Sequence, residues 1–373
     1  MGEPMSPDVS VVTSGHDVAD ARIHRLASAL LDAGLTVELL GLGDPASAPP
    51  GVHVRTVTRP GVVGRALLAA RQASRARGRV MLALDPDSLV ACYLVGRARR
   101  RRVVADVHED YAALLEDRSW AAGWKGRVAR RVVGMATTVA ERSDLVIVAD
   151  EHVPPERGRS RLVLRNVPYL GLLPGFRPDD PRRQRALYIG DVRASRGLWS
   201  MIEAVEGAPG WTLDIVGAVA PGDRDRLEVY QREGPARDRV RVHGRKPPRE
   251  AWSLARDASC GFTLLEDTPA FRAALPSKLY EYVACGLPVI VTDLPRQRQF
   301  VESWGAGAVV PPGPLAGPRA SQVLREWTAH PDALDAIRAA SSRFQGEATE
   351  WASEYRAVAE AIARLSGRSS MPA

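Results

Sequence analysis

A lysine and a glutamate lie one helical turn apart in PSKLYEYVACGLPVIVTD, the segment from Pro276 to Asp293. Ser277 can cap the helix that begins there, which leaves backbone N–H groups and the positive end of the helix dipole at its first turn. Lys278 lies in that turn, and Glu281 follows on the same helical face. The two residues form either a solvated ion pair or a site in which Lys278 binds an anion and Glu281 accepts hydrogen bonds from a diol.

A second candidate for anion binding is YIGDVRASRGLW, in which two arginines follow a predicted strand. The strand ends at Gly190, a tight loop carries Arg193 and Arg196, and Gly197 leads into a helix. Guanidinium groups beside a helix N-terminus can hold a diphosphate through paired hydrogen bonds. The alternative is that one or both are ordinary solvated loop arginines.

The third candidate is His108 in ADVHEDY, which directly follows a predicted strand. Ligands of open parallel sheets bind beyond the carboxyl ends of the strands, so a histidine placed there is a candidate for catalysis. Glu109 and Asp110 could support it with their carboxylates or could serve only to solvate the loop. A purely structural hydrogen-bonding role for His108 is the alternative.

Strands and helices alternate along the chain, and this alternation predicts parallel sheets covered on both faces. The predicted strands are DVSVVT, TVELLG, VHVRTV, VMLAL, RVVADV and LVIVAD, then RALYIG, TLDIVG, RVRVHG, CGFTLL, PVIVTD and GAVV. A stretch rich in Pro, Gly and charge, residues 165–185, separates the two series. We therefore expect an α/β protein with two doubly wound, Rossmann-like domains that face each other across a cleft.

The expected domains span residues 1–172 and 173–345. Residues 346–373 are expected to form a final helix with a frayed tail. In that helix Trp351, Tyr355, Val358 and Ile362 are spaced to line one face.

The composition limits the classes of function. The chain has 373 residues and a formal net charge of +7, and no apolar run reaches the roughly 18 residues of a membrane span. Positive charge favours phosphorylated small molecules, an acidic membrane face or nucleic acid as partners. Nucleic acid is the weakest of these, because zinc-finger spacing, an aromatic-rich RNA-binding signature and a clear helix-turn-helix are absent. The N-terminus lacks a signal-peptide pattern, and Cys92, Cys260 and Cys285 lie in apolar surroundings, so we expect buried, reduced thiols in a cytoplasmic protein.

Other chemistries lack their motifs. The first strand is followed by TSGHDVADAR and not by GxGxxG, so the fingerprint of a dinucleotide-dependent oxidoreductase is missing. The sequence has no GxxxxGK[ST] phosphate loop, no GxSxG elbow, and no HExxH or Cys/His cluster that would bind zinc. We accordingly expect no organic cofactor and no essential metal.

Together these segments resemble glycosyltransferase family 4, whose members are retaining, nucleotide-sugar-dependent enzymes with the GT-B fold. SKLYEYVACGLPVIVTD is similar to the family's KLYEYMACGxPVI signature almost position for position, and YIGDVRASRGL is similar to its strand–loop segment. ADVHEDY resembles the DxHE segment of the first domain. Further similar parts are DARIHRLASALLDAGLTVELLG and LVLRNVP. The late helix from Trp351 to Tyr355, within residues 346–373, resembles the terminal helix that crosses back towards the N-terminal domain in this fold.

The resemblance implies a transferase that moves a sugar from a nucleotide-diphosphate sugar to a hydroxyl of a glycan, a lipid-linked acceptor or a small glycoside. The N-terminal domain would bind the acceptor and the C-terminal domain the donor. Arg193, Arg196 and Lys278 would neutralise the diphosphate, and His108 would contact the donor sugar or the developing charge. Glu281 would hold the ribose hydroxyls. The other donor-binding residues implied are Gly15, Gly190, Gly244, Arg245, Ser277 and Leu279.

One position departs from the family pattern. Many members pair two glutamates in an EX7E motif; Glu281 is the second, but Ala273 stands in the place of the first. The sugar contacts of that glutamate would then come from elsewhere, such as the backbone of FRAAL, residues 271–275. Two alternatives stay open, namely a GT-B-fold sugar-nucleotide epimerase or hydrolase, and a catalytically silent homologue that binds a nucleotide sugar or a partner enzyme.

Residues 118–144 mix basic residues with Trp120 and Trp124, as does a basic amphipathic helix at an anionic membrane surface. A helix packed on the core with its arginines in solvent has the same pattern, and we favour it. Peripheral contact with the inner face of a membrane is the alternative.

Overall fold

A computed structural model of the chain describes residues 6–58, 64–108, 124–151, 153–174, 183–342 and 344–368. The chain forms two compact units. The first comprises Met1–Tyr169 together with Trp351–Ala373, and the second comprises Leu170–Glu350. The first unit is thus assembled from both ends of the sequence.

The first unit is a parallel sheet with helices on both faces. Its strands are β1 (Val9–Asp17), β2 (Val37–Leu42), β3 (His53–Val57), β4 (Val80–Ala83), β5 (Arg102–Val107), β6 (Leu145–Val148) and β7 (Arg161–Val163). Its first helices are α1 (Ala21–Asp32), α2 (Gly64–Arg75), α3 (Pro86–Ala98) and α4 (Trp124–Arg142). The strand order is β3-β2-β1-β4-β5-β6-β7, and neighbouring strands are parallel.

Alternate side chains of these strands pack on opposite faces of the sheet. Val9 and Val11 of β1 belong to the core that α1 covers, whereas Val12 belongs to the core under α2, α3 and α4. Because both faces are covered, a strand such as β6, LVIV, is apolar throughout and shows no alternation with polar residues.

The second unit repeats this architecture. Its strands are β8 (Arg185–Ile189), β9 (Thr212–Val216), β10 (Val240–Val242), β11 (Cys260–Thr263), β12 (Val289–Thr292) and β13 (Gly307–Val310). Its helices are α5 (Leu198–Glu206), α6 (Pro221–Glu233), α7 (Pro248–Ser253), α8 (Pro269–Ala273), α9 (Ser277–Ala284), α10 (Pro295–Trp304), α11 (Ala316–Ala329) and α12 (Pro331–Ser342). The parallel strands have the order β10-β9-β8-β11-β12-β13.

In each sheet the strand order reverses once, between β1 and β4 in the first unit and between β8 and β11 in the second. Loops diverge at such a point and leave a crevice at the carboxyl ends of the strands, where ligands of doubly wound folds bind. Every strand predicted from the sequence is present, and the prediction of two doubly wound α/β domains is confirmed.

The last helix, α13 (Phe344–Ser366), completes the core of the first unit. Tyr355, Val358 and Ile362 are buried beside α1, and the Tyr355 hydroxyl donates a hydrogen bond to the carbonyl of Val167 at 2.9 Å. The predicted apolar face of this helix is therefore confirmed. The three cysteines are buried and free, also as predicted.

Candidate functional site

Helix α9, at the start of PSKLYEYVACGLPVIVTD, is tied to β8 by a tyrosine. The Tyr282 hydroxyl accepts a hydrogen bond from the Ile189 amide at 3.0 Å and donates one to the Leu187 carbonyl at 3.1 Å. Lys278 lies four residues before Tyr282, on the same face of the helix. The contact of Tyr282 with β8 therefore brings Lys278 to the carboxyl end of that strand.

The prediction that Ser277 caps this helix is wrong. Pro276 and not Ser277 is the N-cap residue, and no side chain makes a capping hydrogen bond there. The amide of Leu279 instead donates to the carbonyl of Pro276 at 3.1 Å. The helix starts because the extended backbone of Pro276 turns directly into it, and Ser277 becomes its first helical residue.

Lys278 is buried without a hydrogen-bond partner. It exposes 7% of its surface, and its Nζ forms no hydrogen bond within the described part of the chain. The ammonium lies 3.8 Å from the centre of the Tyr188 ring, a cation–π contact. Burial, and then the charge of Arg196, lower the pKa of Lys278 from its usual 10.5 to about 7. Glu281 is equally buried, so a solvated surface pair is excluded.

Gly190 makes room for this lysine. A Cβ atom at position 190 would lie 2.6 Å from Lys278 Nζ, and the φ angle of Gly190 is 145°. Glycine adopts that angle without the strain it imposes on other residues. The ammonium can therefore approach the backbone at the end of β8.

The loop after Gly190 places two arginines around one carboxylate. Arg193 forms an ion pair with Asp191, and Arg196 Nε lies 3.9 Å from the same carboxylate. Arg196 also lies over the ring of Phe271, 5.7 Å from its centre. The sequence did not identify Asp191 as a site residue, because its role depends on the side-chain conformations of Arg193 and Arg196. It is their internal counter-ion, with which any anionic ligand must compete.

The same loop is locked onto the neighbouring strand. A short 3₁₀ helix, Ala194–Arg196, ends at Gly197, whose φ is 84°. A Cβ atom there would lie 2.0 Å from the carbonyl oxygen of Leu264, which follows β11. In addition, the Glu266 amide donates to the carbonyl of Ser195 at 3.0 Å. The arginine loop is thus held where the strand order reverses.

The structure gathers most of the expected donor-binding residues around β8 and α9. They are Gly190, Arg193, Arg196, Ser277, Lys278, Leu279 and Glu281. Gly244 and Arg245 instead follow β10, which is separated from β8 by β9. Gly244 has a φ of 68°, and Arg245 is exposed.

In the first unit, one buried carboxylate organises the end of β1. Asp85 Oδ2 accepts hydrogen bonds from the Thr13 hydroxyl at 2.6 Å, the Ser14 amide at 2.8 Å and the Gly15 amide at 3.2 Å. A Cβ atom at position 15 would lie 2.5 Å from Asp85 Oδ1, which explains the glycine. The N–H of Gly15 is therefore directed to a carboxylate of the same unit.

Two histidines meet beside this carboxylate. The rings of His16 and His108 are in edge contact, with centroids 5.0 Å apart. His16 Nδ1 lies 3.4 Å from Asp20, and its Nε2 lies 3.4 Å from Asp85. Burial opposes the charge of His16, but the hydrogen bond to Asp20 and the surrounding carboxylates outweigh it and raise the pKa of His16.

Sequence reasoning identified His108 but missed His16 and Asp85. The available signal was topological, since both missed residues lie at the carboxyl ends of adjacent strands, β1 and β4. Glu109 and Asp110, the carboxylates considered as partners of His108, lie outside the described residues.

Ala273, at the place of the first glutamate in the family pattern, is the last residue of the short helix α8. Its carbonyl accepts a hydrogen bond from the Arg296 guanidinium at 3.1 Å. Thr268 caps α8 by accepting a hydrogen bond from the Phe271 amide at 3.2 Å. The Phe271 amide at the start of the FRAAL segment is therefore held by Thr268, and the Ala273 carbonyl already accepts a hydrogen bond from Arg296.

Helix α4 packs on the sheet through Ala136 and Ala140, while Arg127, Arg130 and Arg131 are exposed. This arrangement agrees with the favoured interpretation of a packed helix with its arginines in solvent, and the membrane contact stays a prediction. Trp120 lies outside the described residues. Within the described ranges, no helix is long and apolar enough to cross a bilayer. In the same ranges, no group of three or more His, Cys, Asp or Glu residues could hold a metal ion.

Comparison with known sequences gives one family match. Residues 177–332, which contain the arginine loop and α9, match the family model described as glycosyl transferases group 1. Among proteins of curated function, none matches this sequence.

Solved structures share the fold over nearly the whole chain. Sucrose-phosphate synthase from Thermosynechococcus elongatus has a TM-score of 0.61 at 18% identity, with 96% of each chain covered. Anabaena Alr3699/HepE, in complex with UDP and glucose, has a TM-score of 0.60 at 15% identity, with 97% of each chain covered. WaaG, a glycosyltransferase involved in lipopolysaccharide biosynthesis, has a TM-score of 0.59 at 15% identity, covering 95% of this chain and 99% of that one. The fold of this chain is thus of the GT-B type, with two Rossmann-like domains.

Proposed function

We propose that this chain is a retaining glycosyltransferase of family 4 that moves a hexosyl group from a nucleotide-diphosphate sugar to an acceptor hydroxyl. One observation carries the proposal. Lys278, buried and without a hydrogen-bond partner among the described residues, lies at the first turn of α9 beside the loop of Arg193 and Arg196. The site lies within the segment that matches the group 1 glycosyltransferase model. A cluster of this kind is suited to a ligand that carries several negative charges.

In the proposed mechanism the diphosphate leaves the anomeric carbon and the acceptor hydroxyl enters on the same face of the sugar. A departing phosphate oxygen takes the proton of the acceptor, so a protein nucleophile is not required. Arg193, Arg196 and Lys278 stabilise the negative charge that develops on the leaving group, and the first turn of α9 adds its dipole. Because these three cations already offset a diphosphate, we propose that no metal is essential.

The remaining residues are assigned by the same proposal. Ser277 and Leu279 support the phosphates through the first turn of α9, and Glu281 accepts hydrogen bonds from the ribose hydroxyls. Gly244 and Arg245 lie against the nucleobase. From the first unit, which takes the acceptor, His108 contacts the donor sugar or the developing charge, and Gly15 approaches the diphosphate.

The first experiment is a thermal-shift screen of UDP-, GDP- and dTDP-sugars, beginning with UDP-glucose because the similar HepE structures contain UDP. A ligand at 100 times its Kd adds about 2.7 kcal/mol to the free energy of unfolding, which is easily detected. Donor consumption is then measured with and without candidate acceptors, and with EDTA.

Each outcome identifies one class. Turnover only with an acceptor supports a transferase, whereas turnover without one identifies an epimerase or hydrolase. Binding without any turnover identifies a silent homologue, which the alanine at position 273 makes a specific alternative. If no nucleotide sugar stabilises the protein, the proposal is overturned.

We further propose that the enzyme works in the cytoplasm, independently of nucleic acid, and makes a peripheral contact with the inner face of a membrane through the exposed arginines of α4. Exposed basic residues bind anionic headgroups by charge. Sedimentation with vesicles that contain anionic lipid tests the contact. A protein that stays in the supernatant would overturn it and would favour soluble acceptors.

A further inference from the structure

Lysine is rare in this chain, and nearly all of its basic residues are arginines. Of the 51 basic residues, three are lysines: Lys125, Lys246 and Lys278. Lys246 forms an ion pair with Glu250, whereas the buried Lys278 Nζ has no hydrogen-bond partner among the residues that the structure describes. A guanidinium remains charged in proteins, but a buried ammonium can lose its proton. Lysine at this buried position therefore creates a site whose charge can change.

The protein's own groups do not compensate a full positive charge on Lys278. The charged groups that face it are Arg196 and Asp191 from the loop after β8 and Glu281 from α9, and the ring of Tyr188 lies beneath it. Asp191 is already shared between Arg193 and Arg196. Desolvation and a neighbouring cation both disfavour the ammonium form, while Glu281 and Asp191 only partly offset them. The result is a pKa of about 7 for Lys278.

We propose that this site binds its anionic ligand together with a proton, which Lys278 Nζ takes from the solvent as the ligand enters. The inference rests on the proposed function in taking the diphosphate of a nucleotide sugar as that ligand. The only covalent change is a proton transfer, in which an N–H bond forms on Lys278 as the bond to that hydrogen breaks in hydronium or a buffer acid. The ammonium produced in this way supplies one of the positive charges that stabilise the departing diphosphate.

The geometry explains why such a coupling is useful. In the absence of ligand, the neutral amine avoids the cost of a buried charge without a counter-ion. In its presence, the anion provides that counter-ion, and the amine becomes a cation only where the cation has a partner. An arginine at this position would impose the cost on the empty site at every pH.

The coupling predicts a specific pH dependence. Because the pKa of Lys278 is lowered to about 7, binding should take up most of a proton per site at pH 8 and only a small fraction of one at pH 6. The affinity should be nearly constant below pH 6 and should fall by about tenfold per pH unit above pH 8, since the protonated form becomes rarer.

The first test is isothermal titration of the full chain with UDP-glucose, in MES and in Bis-Tris at pH 6 and in HEPES and in Tris at pH 8. These buffers differ in their enthalpy of ionisation, so the difference in measured heat counts the protons taken up. UDP-glucose suits the purpose because its diphosphate stays fully ionised over this range. Lys278→Arg should bind without proton uptake, and the matched control Lys246→Arg should behave as the parent protein does.

The second test does not depend on how Lys278→Arg folds. The variant K125R/K246R leaves Lys278 as the only lysine, so a sample labelled with ¹⁵N-lysine gives one side-chain Nζ signal. Its titration is followed with and without sodium sulfate, a dianion that has no proton to exchange near neutral pH. We expect the midpoint to lie near pH 7 without sulfate and to rise when sulfate is added.

The outcomes separate this inference from the proposed function. If sulfate raises the titration midpoint of Lys278 but UDP-glucose does not bind, the coupling of anion and proton is retained and the choice of ligand is overturned. Binding of UDP-glucose without proton uptake would overturn the coupling and leave the transferase standing. A Lys278 signal that titrates at the usual 10.5 of lysine, or that ignores sulfate, would also overturn it.

Discussion

Asp191 has two opposing effects on its neighbours. Its carboxylate holds Arg193 and approaches Arg196, and it thereby orders the loop while occupying the charges that a phosphate needs. Arg193 is exposed and Arg196 is partly exposed, so solvent screens these pairs and each is worth little, of the order of 0.2–1 kcal/mol. The loop can therefore exchange its internal counter-ion for a ligand at small cost.

Replacing this counter-ion should tighten anion binding. Asp191→Asn keeps the size of the side chain and removes its charge, so we expect the Kd for UDP to fall by roughly two- to fivefold. Titration calorimetry at low ionic strength measures the change, and the difference should shrink in high salt. Weaker binding by the variant would show that Asp191 acts mainly to position the loop.

Removal of Arg196 tests its proposed contact with phosphate. We expect Arg196→Ala to lower kcat/KM by at least about tenfold, since one charge-assisted contact to the leaving group is lost. The matched control is Arg298→Ala, which removes an exposed arginine of α10 that pairs with Asp293 in the loop before that helix. Circular dichroism should show that both variants are folded. Unchanged kinetics in Arg196→Ala would exclude the phosphate role.

His16 should make the stability of the first unit depend on pH. Its pKa is raised in the folded state, because the hydrogen bond to Asp20 and the charges of Asp85, Asp20 and Asp106 outweigh burial. Its contribution to stability is therefore complete below the unfolded pKa of about 6.5 and is lost as the pH rises through the folded value. His16→Gln should thus destabilise the protein more at pH 5.5 than at pH 9 in urea unfolding.

His24 is the matched control for that measurement. Burial lowers its pKa, so its protonation opposes folding, and His24→Gln should show the opposite trend with pH. Equal losses for His16→Gln at the two pH values would contradict the assignment of a charged His16.

Residue types were easier to predict than their partners. The sequence identified Lys278 and Glu281 by their spacing, yet their burial depends on Tyr282, which docks α9 onto a strand about 95 positions earlier. His16 and Asp85 were missed for the same reason, since neither has a local pattern and their contact spans about 70 positions. Site features that depend on contacts between residues distant in the sequence could not be predicted from a single sequence.

At the scale of elements, prediction succeeded wherever burial alone decides the structure. Central strands such as β4 and β6 are apolar and buried on both faces, and such runs have few other structures open to them. Helix starts were harder, because Ser277 and Pro276 are both acceptable there and the tertiary contacts of α9 decide between them.

One glycine should be essential to the element that carries the arginines. In Gly197→Ala the new methyl group would meet the carbonyl of Leu264, a backbone atom that cannot turn away, at a φ of 84°. We expect a loss of at least about 2 kcal/mol in the free energy of unfolding, measured in urea. Gly222→Ala in α6 is the matched control, because that position is open and alanine favours a helix. Equal stability of the two variants would show that the loop is not fixed by this contact.

At the scale of the whole molecule, the first unit depends on the end of the chain. Val358 of α13 is fully buried in its core, whereas its neighbour Ala357 is exposed. Val358→Asp places a charge without a partner in that core and should cost about 4 kcal/mol or more. Ala357→Asp should be close to neutral.

Thermal unfolding monitored by circular dichroism compares the two variants. A protein shortened to residues 1–350 should lose the cooperative transition of the first unit while the second unit stays folded. A shortened protein with both transitions intact would show that the residues from Trp351 onward are dispensable.

The discontinuous first unit also has a consequence for synthesis on the ribosome. Residues 1–169 emerge first, but the helix that closes their core emerges only after the entire second unit has been made. At about 5–20 residues per second, the nascent first unit waits for roughly ten to forty seconds with part of its core open to water. The half of the protein that is translated first is thus the last that can finish folding. A premature stop codon before the α13 segment should therefore prevent the first unit from completing its core, although nearly all of that unit has been made. Chaperone protection during this interval should matter most for the first unit.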